Sequence, residues 1–162
     1  MLSPEAQRQL EVWLHETPHE VVVECVRTPK GIGWGRMLSK KGSGGCSPSQ
    51  IDQAPWSMHT HPSACYLRNG TYFGWPSGAD YATVLDQDAK EHLVCAIEGI
   101  YVLHPTRGAA GRWRRLSAKA QRAHERQWDV ASDTPDRTPE DVLAALAPHL
   151  EGWVAVEYHP YS

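Results

Sequence analysis

Two histidines, His59 and His61, stand one residue apart in residues 58–62 (MHTHP) and are followed directly by Pro62. Side chains in a β-strand alternate between its two faces, so the two imidazoles of an extended segment point the same way. Proline lacks the backbone N–H that a continuing strand would donate, so Pro62 predicts the end of this strand. The chain must therefore fold so that one strand brings both imidazoles to one place and then turns away.

Two imidazoles on one face can bind a divalent metal ion, although two neutral ligands alone bind it weakly. A carboxylate from a neighbouring element completes three protein ligands with one open position, which is the arrangement of catalytic zinc. Asp80 is the candidate third ligand, because residues 76–80 (PSGAD) predict the start of a helix soon after the strand. Ser77 and Asp80 also form an S-x-x-D capping pattern, which requires no metal.

A catalytic zinc site that hydrolyses an amide needs two further groups. Zinc lowers the pKa of a bound water from about 15.7 towards about 7. A carboxylate outside the metal shell must then take a proton from the water and deliver it to the leaving amine. A hydrogen-bond donor must also stabilise the oxyanion that forms when the carbonyl carbon is attacked.

The pattern resembles the JAMM motif of the MPN-type metallopeptidases, in which an upstream glutamate precedes His-x-His-Pro and then Ser-x-x-Asp. By this resemblance His59, His61 and Asp80 match the zinc ligands. Ser77 matches the serine that stabilises the oxyanion. Glu20 matches the catalytic glutamate, because it stands at the start of the strand that follows the first helix.

The resemblance implies one MPN domain over residues 1–162, with the α/β sandwich that this family shares with cytidine deaminases. It implies zinc as cofactor and hydrolysis of an amide or isopeptide bond, often at the C-terminus of ubiquitin or a ubiquitin-like protein. Two alternatives fit as well: a non-catalytic MPN scaffold, and a metallopeptidase acting on a small sulfur-carrier protein or an ordinary peptide. A deaminase is excluded, because it needs a P-C-x-x-C motif that this chain lacks.

The chain departs from the family pattern in two places. The segment 62–76 is longer than usual, so Asp80 can return to the histidines only if this segment loops out, at modest entropic cost. Glu20 is followed by VVVE rather than by the family's small-residue and leucine pattern. Glu24 lies four residues further on and shares a strand face with Glu20, so it is the alternative general base.

The long segment 62–76 carries Tyr66 and three more aromatic residues close to the predicted metal ligands. We expect Tyr72, Phe73 and Trp75 to help hold the extended C-terminal segment of a substrate. The alternative is that they form a small satellite core beneath the loop. Residues 39–50 (SKKGSGGCSPSQ) are rich in Gly and Ser and predict a flexible loop.

The remaining chain mixes helices and strands without strict alternation, which favours an α/β fold with a mixed β-sheet flanked by helices. Ser3 and Pro4 predict the start of a first helix, which Pro18 ends. Strands are predicted at residues 20–27, 31–38, 56–61, 92–97, 100–104 and 153–158. Further helices are predicted from Ser77 to about Asp88, from Gly111 to about Val130, and at 138–146.

Composition and charge exclude several classes of function. A formal net charge of −3 gives no indication of a nucleic-acid or membrane-surface binder. No apolar run is long enough to cross a bilayer and no signal pattern opens the chain, so we expect a cytoplasmic location. The four cysteines contain no C-x-x-C pair, which predicts reduced thiols rather than a disulfide framework or a structural zinc site: Cys25, Cys46, Cys65 and Cys95.

Five other histidines have no partner at ligand spacing in the sequence, and we expect them to be structural or exposed: His92, His104, His124, His149 and His159.

Overall fold

The structure, a computed structural model, describes residues 1–40, 45–68, 71–133 and 137–161; the side chains of residues 49, 50, 67, 68, 71 and 72 lie outside the described part. Its helices are α1 (Pro4–His15), α2 (Ser63–Tyr66), α3 (Gly78–Asp86), α4 (Ala109–Arg115), α5 (Ala118–Ser132) and α6 (Pro139–Leu150). Its strands are β1 (Val22–Thr28), β2 (Gly31–Met37), β3 (Ser39–Lys40), β4 (Ser49–Ile51), β5 (Trp56–Thr60), β6 (Leu67–Arg68), β7 (Thr71–Tyr72), β8 (Glu91–Cys95), β9 (Gly99–Pro105) and β10 (Val154–Pro160).

Six of these strands form one sheet in the order β10-β9-β8-β5-β1-β2. The pair β5–β8 is parallel, whereas the other neighbours are antiparallel. Residues 61–90, which connect the two parallel strands, contain α3 and the long segment 62–76. The predicted α/β fold with a mixed sheet flanked by helices is therefore confirmed.

Helices cover both faces of this sheet. On one face α1 packs Leu10 and Leu14 against Met58, Leu93 and other strand residues. On the opposite face helices α3 to α6 bury a larger core that contains Val94. Neighbouring residues such as Leu93 and Val94 point into different cores, because side chains alternate along a strand. Central strands buried on both sides read as continuous apolar runs.

One predicted helix, from Gly111 to about Val130, is wrong, because the chain forms two helices there. Ser117 has an extended backbone, and its hydroxyl accepts the N–H of Ala120 at 3.1 Å, so it caps the start of α5. The helical spacing of apolar residues continues across the break and therefore concealed it. A serine inside a helical pattern competes for backbone hydrogen bonds and can begin a new helix.

The prediction of four reduced thiols is also wrong, because Cys46 and Cys65 form a disulfide. Cys46 lies between β3 and β4, and Cys65 lies in α2. Their Cα atoms are 5.8 Å apart, which is inside the range that a disulfide can span. Their spacing along the chain gave no sign of this approach. Cys25 and Cys95 are free and buried.

Both predicted loops contain regular structure. Residues 39–50 were expected to be a flexible loop, but β3 and β4 pair within this region, and residues 41–44 lie outside the described part. The segment 62–76 contains α2 and the β6–β7 pair. Among the described residues, no helix combines the length and apolar character needed to cross a membrane. The cytoplasmic location stays a prediction. The Cys46–Cys65 disulfide is unusual for that location, because disulfides are rare in reducing compartments.

Candidate metal centre

Strand β5 brings the two imidazoles together. His59 lies near its end, and the N–H of His61 still donates to the carbonyl of Cys95 at 2.8 Å, so the parallel pairing with β8 extends past Thr60. The Nε2 atoms of His59 and His61 are 3.0 Å apart. His61 is only 1% exposed. The two-residue spacing thus has the consequence expected for an extended segment.

Asp80 reaches both imidazoles from the first turn of α3. Its Oδ1 lies 3.2 Å from Nε2 of His59, and its Oδ2 lies 3.4 Å from Nε2 of His61. The same Oδ2 accepts the N–H of Ser77 at 2.8 Å, while the N–H of Asp80 donates to the Ser77 hydroxyl at 3.3 Å. The capping and metal-ligand interpretations are therefore compatible, because the cap orients the carboxylate towards the histidines.

A glycine sets the position of this helix start. A Cβ on Gly78 would lie 2.3 Å from the carbonyl oxygen of Glu125 in α5, so only glycine permits the close approach. The N–H of Gly78 also donates to Oδ1 of Asp129 at 2.7 Å. Packing against α5 therefore holds the first turn of α3, and with it Asp80, beside the end of β5.

Glu20 completes the cluster from the segment before β1. Its Oε1 lies 3.7 Å from Nε2 of His61. The adjacent backbone is held by Thr60, whose hydroxyl accepts the N–H of Val21 at 2.9 Å and whose N–H donates to the carbonyl of Val21 at 3.0 Å. Tyr66 donates its hydroxyl proton to Oε1 of Glu20 at 2.7 Å. The carboxylate is thus held from the β5 side and from α2.

Glu24, the alternative base, points elsewhere. Its Oε1 lies 3.0 Å from the position that a Cβ on Gly35 would occupy in β2. Among the described residues, the group suited to hold a metal ion consists of Glu20, His59 and His61. The structure therefore places Glu20, and not Glu24, beside the histidines.

The disulfide links the two segments that flank Glu20. The carbonyl of Cys46 accepts the N–H of Glu20 at 2.8 Å, and Cys65 directly precedes Tyr66, which donates to the Glu20 carboxylate. A cross-link between these two segments limits how far either can move from this carboxylate.

The orientation of His61 is set by the segment 62–76. Its Nδ1–H donates to the carbonyl of Gly74 at 2.7 Å, and the ring of Tyr66 stacks on it with 4.1 Å between centroids. The N–H of Gly74 donates in turn to Oε1 of Glu98 at 2.7 Å, an oxygen that also accepts the hydroxyl proton of Tyr101. Burial raises the pKa of Glu98 despite these donors.

His92, expected to be structural or exposed, is buried and contacts one of the candidate ligands. It is 8% exposed, and its Nε2 lies 2.6 Å from Nδ1 of His59. The Nδ1 of His92 lies 2.8 Å from the Ser57 hydroxyl oxygen. Burial, together with the nearby charge of His59, lowers the pKa of His92 to about 3. Sequence spacing carried no signal for this contact, which depends on the register between β5 and β8.

The carboxylates govern the charge of the cluster. Burial by itself would lower the pKa of His59, but the Asp80 carboxylate, with a further contribution from Glu20, raises it above its usual 6.5. Burial would conversely raise the pKa of Asp80, yet the two imidazoles hold that pKa well below its usual value of 3.8. Asp80 is therefore ionised near neutral pH, as a metal ligand must be.

The distances within the cluster fit a small divalent ion. Ligand bonds of about 2.0–2.1 Å in tetrahedral geometry, as for zinc, put ligand atoms about 3.3–3.4 Å apart. The two imidazole Nε2 atoms are 3.0 Å apart, and each lies close to a different oxygen of Asp80, His59 at 3.2 Å from Oδ1 and His61 at 3.4 Å from Oδ2. The ligand atoms of Glu20, His59 and His61 all lie within 4.8 Å of one another. This mostly buried group can therefore hold a metal ion, and Asp80 adds a second carboxylate.

A cavity of about 120 Å³ opens beside the cluster. The residues that line it include Glu20, His59 and Asp80 of the cluster as well as Pro48 and Ile51. The described residues that line it do not include the aromatic residues of segment 62–76.

Two of the predicted substrate-binding aromatic residues, Phe73 and Trp75, are not among the described residues that line this cavity. Phe73 and Trp75 stack on each other with 5.5 Å between centroids, and Trp75 packs against the larger core. The side chain of Tyr72 lies outside the described residues. A role of these three residues in substrate binding stays a prediction.

The raised pKa of His59 predicts that metal binding displaces a proton above pH 6.5, where an ordinary histidine is mostly neutral. A group that binds a proton only in the metal-free state makes metal affinity rise with pH up to its pKa and level off above it. Titration calorimetry near pH 7 in buffers of different ionisation enthalpy should therefore report proton release. A pH dependence that appears only below 6.5 would contradict the prediction.

No protein-family model, no curated protein and no solved structure matches this chain. The chemistry of the cluster and the motif that its residues form are therefore the features that indicate a function.

Proposed function

We propose that the chain is a zinc-dependent metallopeptidase of the JAMM type, which hydrolyses an amide bond at the C-terminus of ubiquitin or a ubiquitin-like protein. The observation that carries the proposal is the convergence of His59, His61 and Asp80, although the long segment 62–76 separates the strand from the helix. These three residues match the zinc ligands of a motif whose chemistry is amide hydrolysis, and they lie together in the structure. The mixed sheet between α1 and the other helices is compatible with an MPN-type sandwich.

The donor set favours zinc. Two imidazoles and one carboxylate are a recurrent ligand set of catalytic zinc, and they leave one position for water or substrate. Zinc bound there would supply a water of lowered pKa and would polarise the scissile carbonyl. Asp80, ionised and oriented by the N–H of Ser77, contributes negative charge without a further proton to remove.

Glu20 is the proposed general base and acid. Its Oε1 lies 3.7 Å from Nε2 of His61, a longer distance than the 3.0–3.4 Å found among the atoms of the proposed ligands, which supports a role beside the metal rather than as a ligand. A carboxylate in this position can accept a proton from the attacking water and then protonate the leaving amine. The hydrogen bond from Tyr66 holds this carboxylate in one orientation.

Ser77 is the proposed oxyanion donor. Its hydroxyl oxygen already accepts the N–H of Asp80 as the cap of α3. A hydroxyl carries one proton as well as its acceptor positions, so the Ser77 proton remains available for a developing oxyanion.

The cavity restricts the kind of substrate. A volume of about 120 Å³ is below the few hundred Å³ of a typical small-molecule site, so it suits a narrow, extended peptide segment with small side chains. Ile51, which lines the cavity, is 50% exposed. An exposed apolar side chain in this position can contact the substrate next to the scissile bond.

The proposal is tested by metal analysis combined with cleavage assays on the full chain. We expect about one zinc per chain and cleavage of a reporter fused to the C-terminus of ubiquitin or a ubiquitin-like protein. A strong chelator should abolish cleavage by removing zinc, and added zinc should restore it. The substrate panel also includes a sulfur-carrier fusion and an unstructured peptide.

Two results would contradict the proposal in different ways. Cleavage that persists after the chelator has removed the metal would exclude zinc chemistry. Stoichiometric zinc without cleavage of any substrate in the panel would indicate a binding module instead. Cleavage of only the sulfur-carrier fusion or the peptide would keep the chemistry and correct the substrate.

A further inference from the structure

A chain of hydrogen bonds connects His59 to two buried side chains that the proposed chemistry does not use. Nδ1 of His59 lies 2.6 Å from Nε2 of His92, and Nδ1 of His92 lies 2.8 Å from the hydroxyl oxygen of Ser57. Ser57 and His92 are direct partners in the parallel β5–β8 pair. They are 3% and 8% exposed. The sheet register therefore aligns three polar groups in a largely buried row.

We propose that His92 and Ser57 are positioning residues that hold His59 in the tautomer able to bind metal. The inference rests on the proposed metal site and concerns how that site is prepared. Coordination through Nε2 of His59 requires a lone pair there and therefore a proton on Nδ1. That N–H points at Nε2 of His92, which must accept. The proton of His92 then lies on Nδ1 and donates to Ser57.

If every hydrogen bond in this row is donated in the opposite direction, His59 cannot bind metal. If the hydroxyl of Ser57 donates to Nδ1 of His92, the proton of His92 lies on Nε2 and donates to Nδ1 of His59. His59 is then protonated on Nε2, the atom that faces Asp80 at 3.2 Å. A proton on that nitrogen occupies the lone pair that a metal needs. The two directions thus correspond to metal-binding and metal-excluding forms of His59.

The second ligand does not have this ambiguity. Nδ1 of His61 faces the carbonyl of Gly74 at 2.7 Å, and a carbonyl can only accept. The lone pair of His61 Nε2 is therefore directed into the cluster by one backbone group. His59 faces another imidazole, which can donate or accept, so a third group is needed to set the direction. Ser57 occupies that position.

Residues that hydrogen-bond to a metal-bound histidine affect metal affinity as well as packing. Outer groups that orient a metal-bound histidine typically change metal affinity by about 10–100-fold when they are removed. The ring of His92 also stacks on that of His59, with 4.9 Å between centroids. A test must therefore separate the lost hydrogen bond from the lost ring.

The test compares His92→Leu with His92→Gln. Leucine fills part of the space but cannot accept, whereas the amide oxygen of glutamine can accept from Nδ1–H of His59. Zinc dissociation constants are measured by chelator competition, beside the free energy of unfolding of each metal-free variant. His104→Leu is the matched control, because His104 lies in the same sheet and its Nε2 faces Glu157 at 4.0 Å, away from the cluster.

We expect His92→Leu to weaken zinc binding by about 10–100-fold, with His92→Gln at least about tenfold tighter than His92→Leu. Ser57→Ala should weaken binding in the same direction but less, since it removes only the acceptor for His92. His104→Leu should leave the zinc dissociation constant unchanged. Equal zinc affinity in wild type and a folded His92→Leu variant would overturn the proposal.

The tautomers themselves can be read in the zinc-loaded wild type by long-range ¹H–¹⁵N correlation spectroscopy. We expect Nδ1 protonated in both His59 and His92, and Nε2 of His92 without a proton. The opposite tautomer of His92 would overturn the proposal even if the leucine variant failed to fold.

Failure of the proposed function can be distinguished from failure of the positioning role. A wild-type chain that binds zinc and cleaves nothing ends the peptidase proposal but leaves both readouts of the positioning role valid. A chain that binds no zinc overturns both.

Discussion

We expect His61→Ala to abolish stoichiometric zinc binding and, with it, the proposed cleavage. His61 supplies one of three proposed ligands, and its Nε2 lies 3.0–3.7 Å from the ligand atoms of the other three residues of the cluster. Removing a ligand should weaken zinc binding by more than the roughly 10–100-fold typical of an outer partner. Metal content after dialysis against a weak chelator measures the loss directly.

Two observations make this result specific. His159→Ala is the matched control, because His159 is exposed and its nearest partner is Glu157 at 3.3 Å, so zinc content should not change. The unfolding transition of metal-free His61→Ala shows whether the variant is folded, since His61 is buried. A folded variant that retains one zinc per chain would remove His61 from the ligand set.

We expect Glu20→Gln to keep its zinc and to lose the proposed catalysis. The amide has nearly the same shape as the carboxylate but cannot accept a proton from water, so the turnover number should fall by about 10²–10⁴-fold. Tyr66 can still donate to the amide oxygen, which preserves the local contact. Zinc content and kcat, measured on the same preparation, separate the role of a base from the role of a ligand.

Glu24→Gln is the matched control for this variant. Its carboxylate lies beside Gly35 and outside the group that could hold a metal ion, so both zinc content and kcat should stay near the wild-type values. If Glu24→Gln lost activity while Glu20→Gln kept it, the assignment of the base would be reversed. If Glu20→Gln lost zinc as well, Glu20 would be a ligand rather than the base.

The local parts of the site were predictable because they follow from short-range geometry. The spacing of His59 and His61 requires only that the segment be extended. The start of α3 at Ser77 follows from an i to i+3 capping pattern, which acts within one helical turn. The mixed sheet between helices could be predicted for the same reason, since runs of apolar residues with a clear period reveal which segments are strands and which are helices.

Other features depended on which segments become neighbours. The contact of His92 with His59 needs the parallel register of β5 and β8. The disulfide needs α2 and the segment around Cys46 to meet beside Glu20. Such pairings are selected by burial of both sheet faces over the whole chain, and no local pattern encodes them. The break before α5 was different: Ser117 was a local signal that the continuous apolar spacing concealed.

By itself the sequence determined which functional groups are present and their local setting: two imidazoles on one strand face, a capped carboxylate at a helix start, and a glutamate just before a strand. The tertiary structure alone decided that Asp80 faces both imidazoles, that Glu20 rather than Glu24 stands beside them, and that His92 lies behind His59. The physical reason is the difference in sequence range over which these interactions act. Backbone geometry and capping act over a few residues, whereas the meeting of distant groups is set by the packing of β5 between β1 and β8 and of α3 against α5.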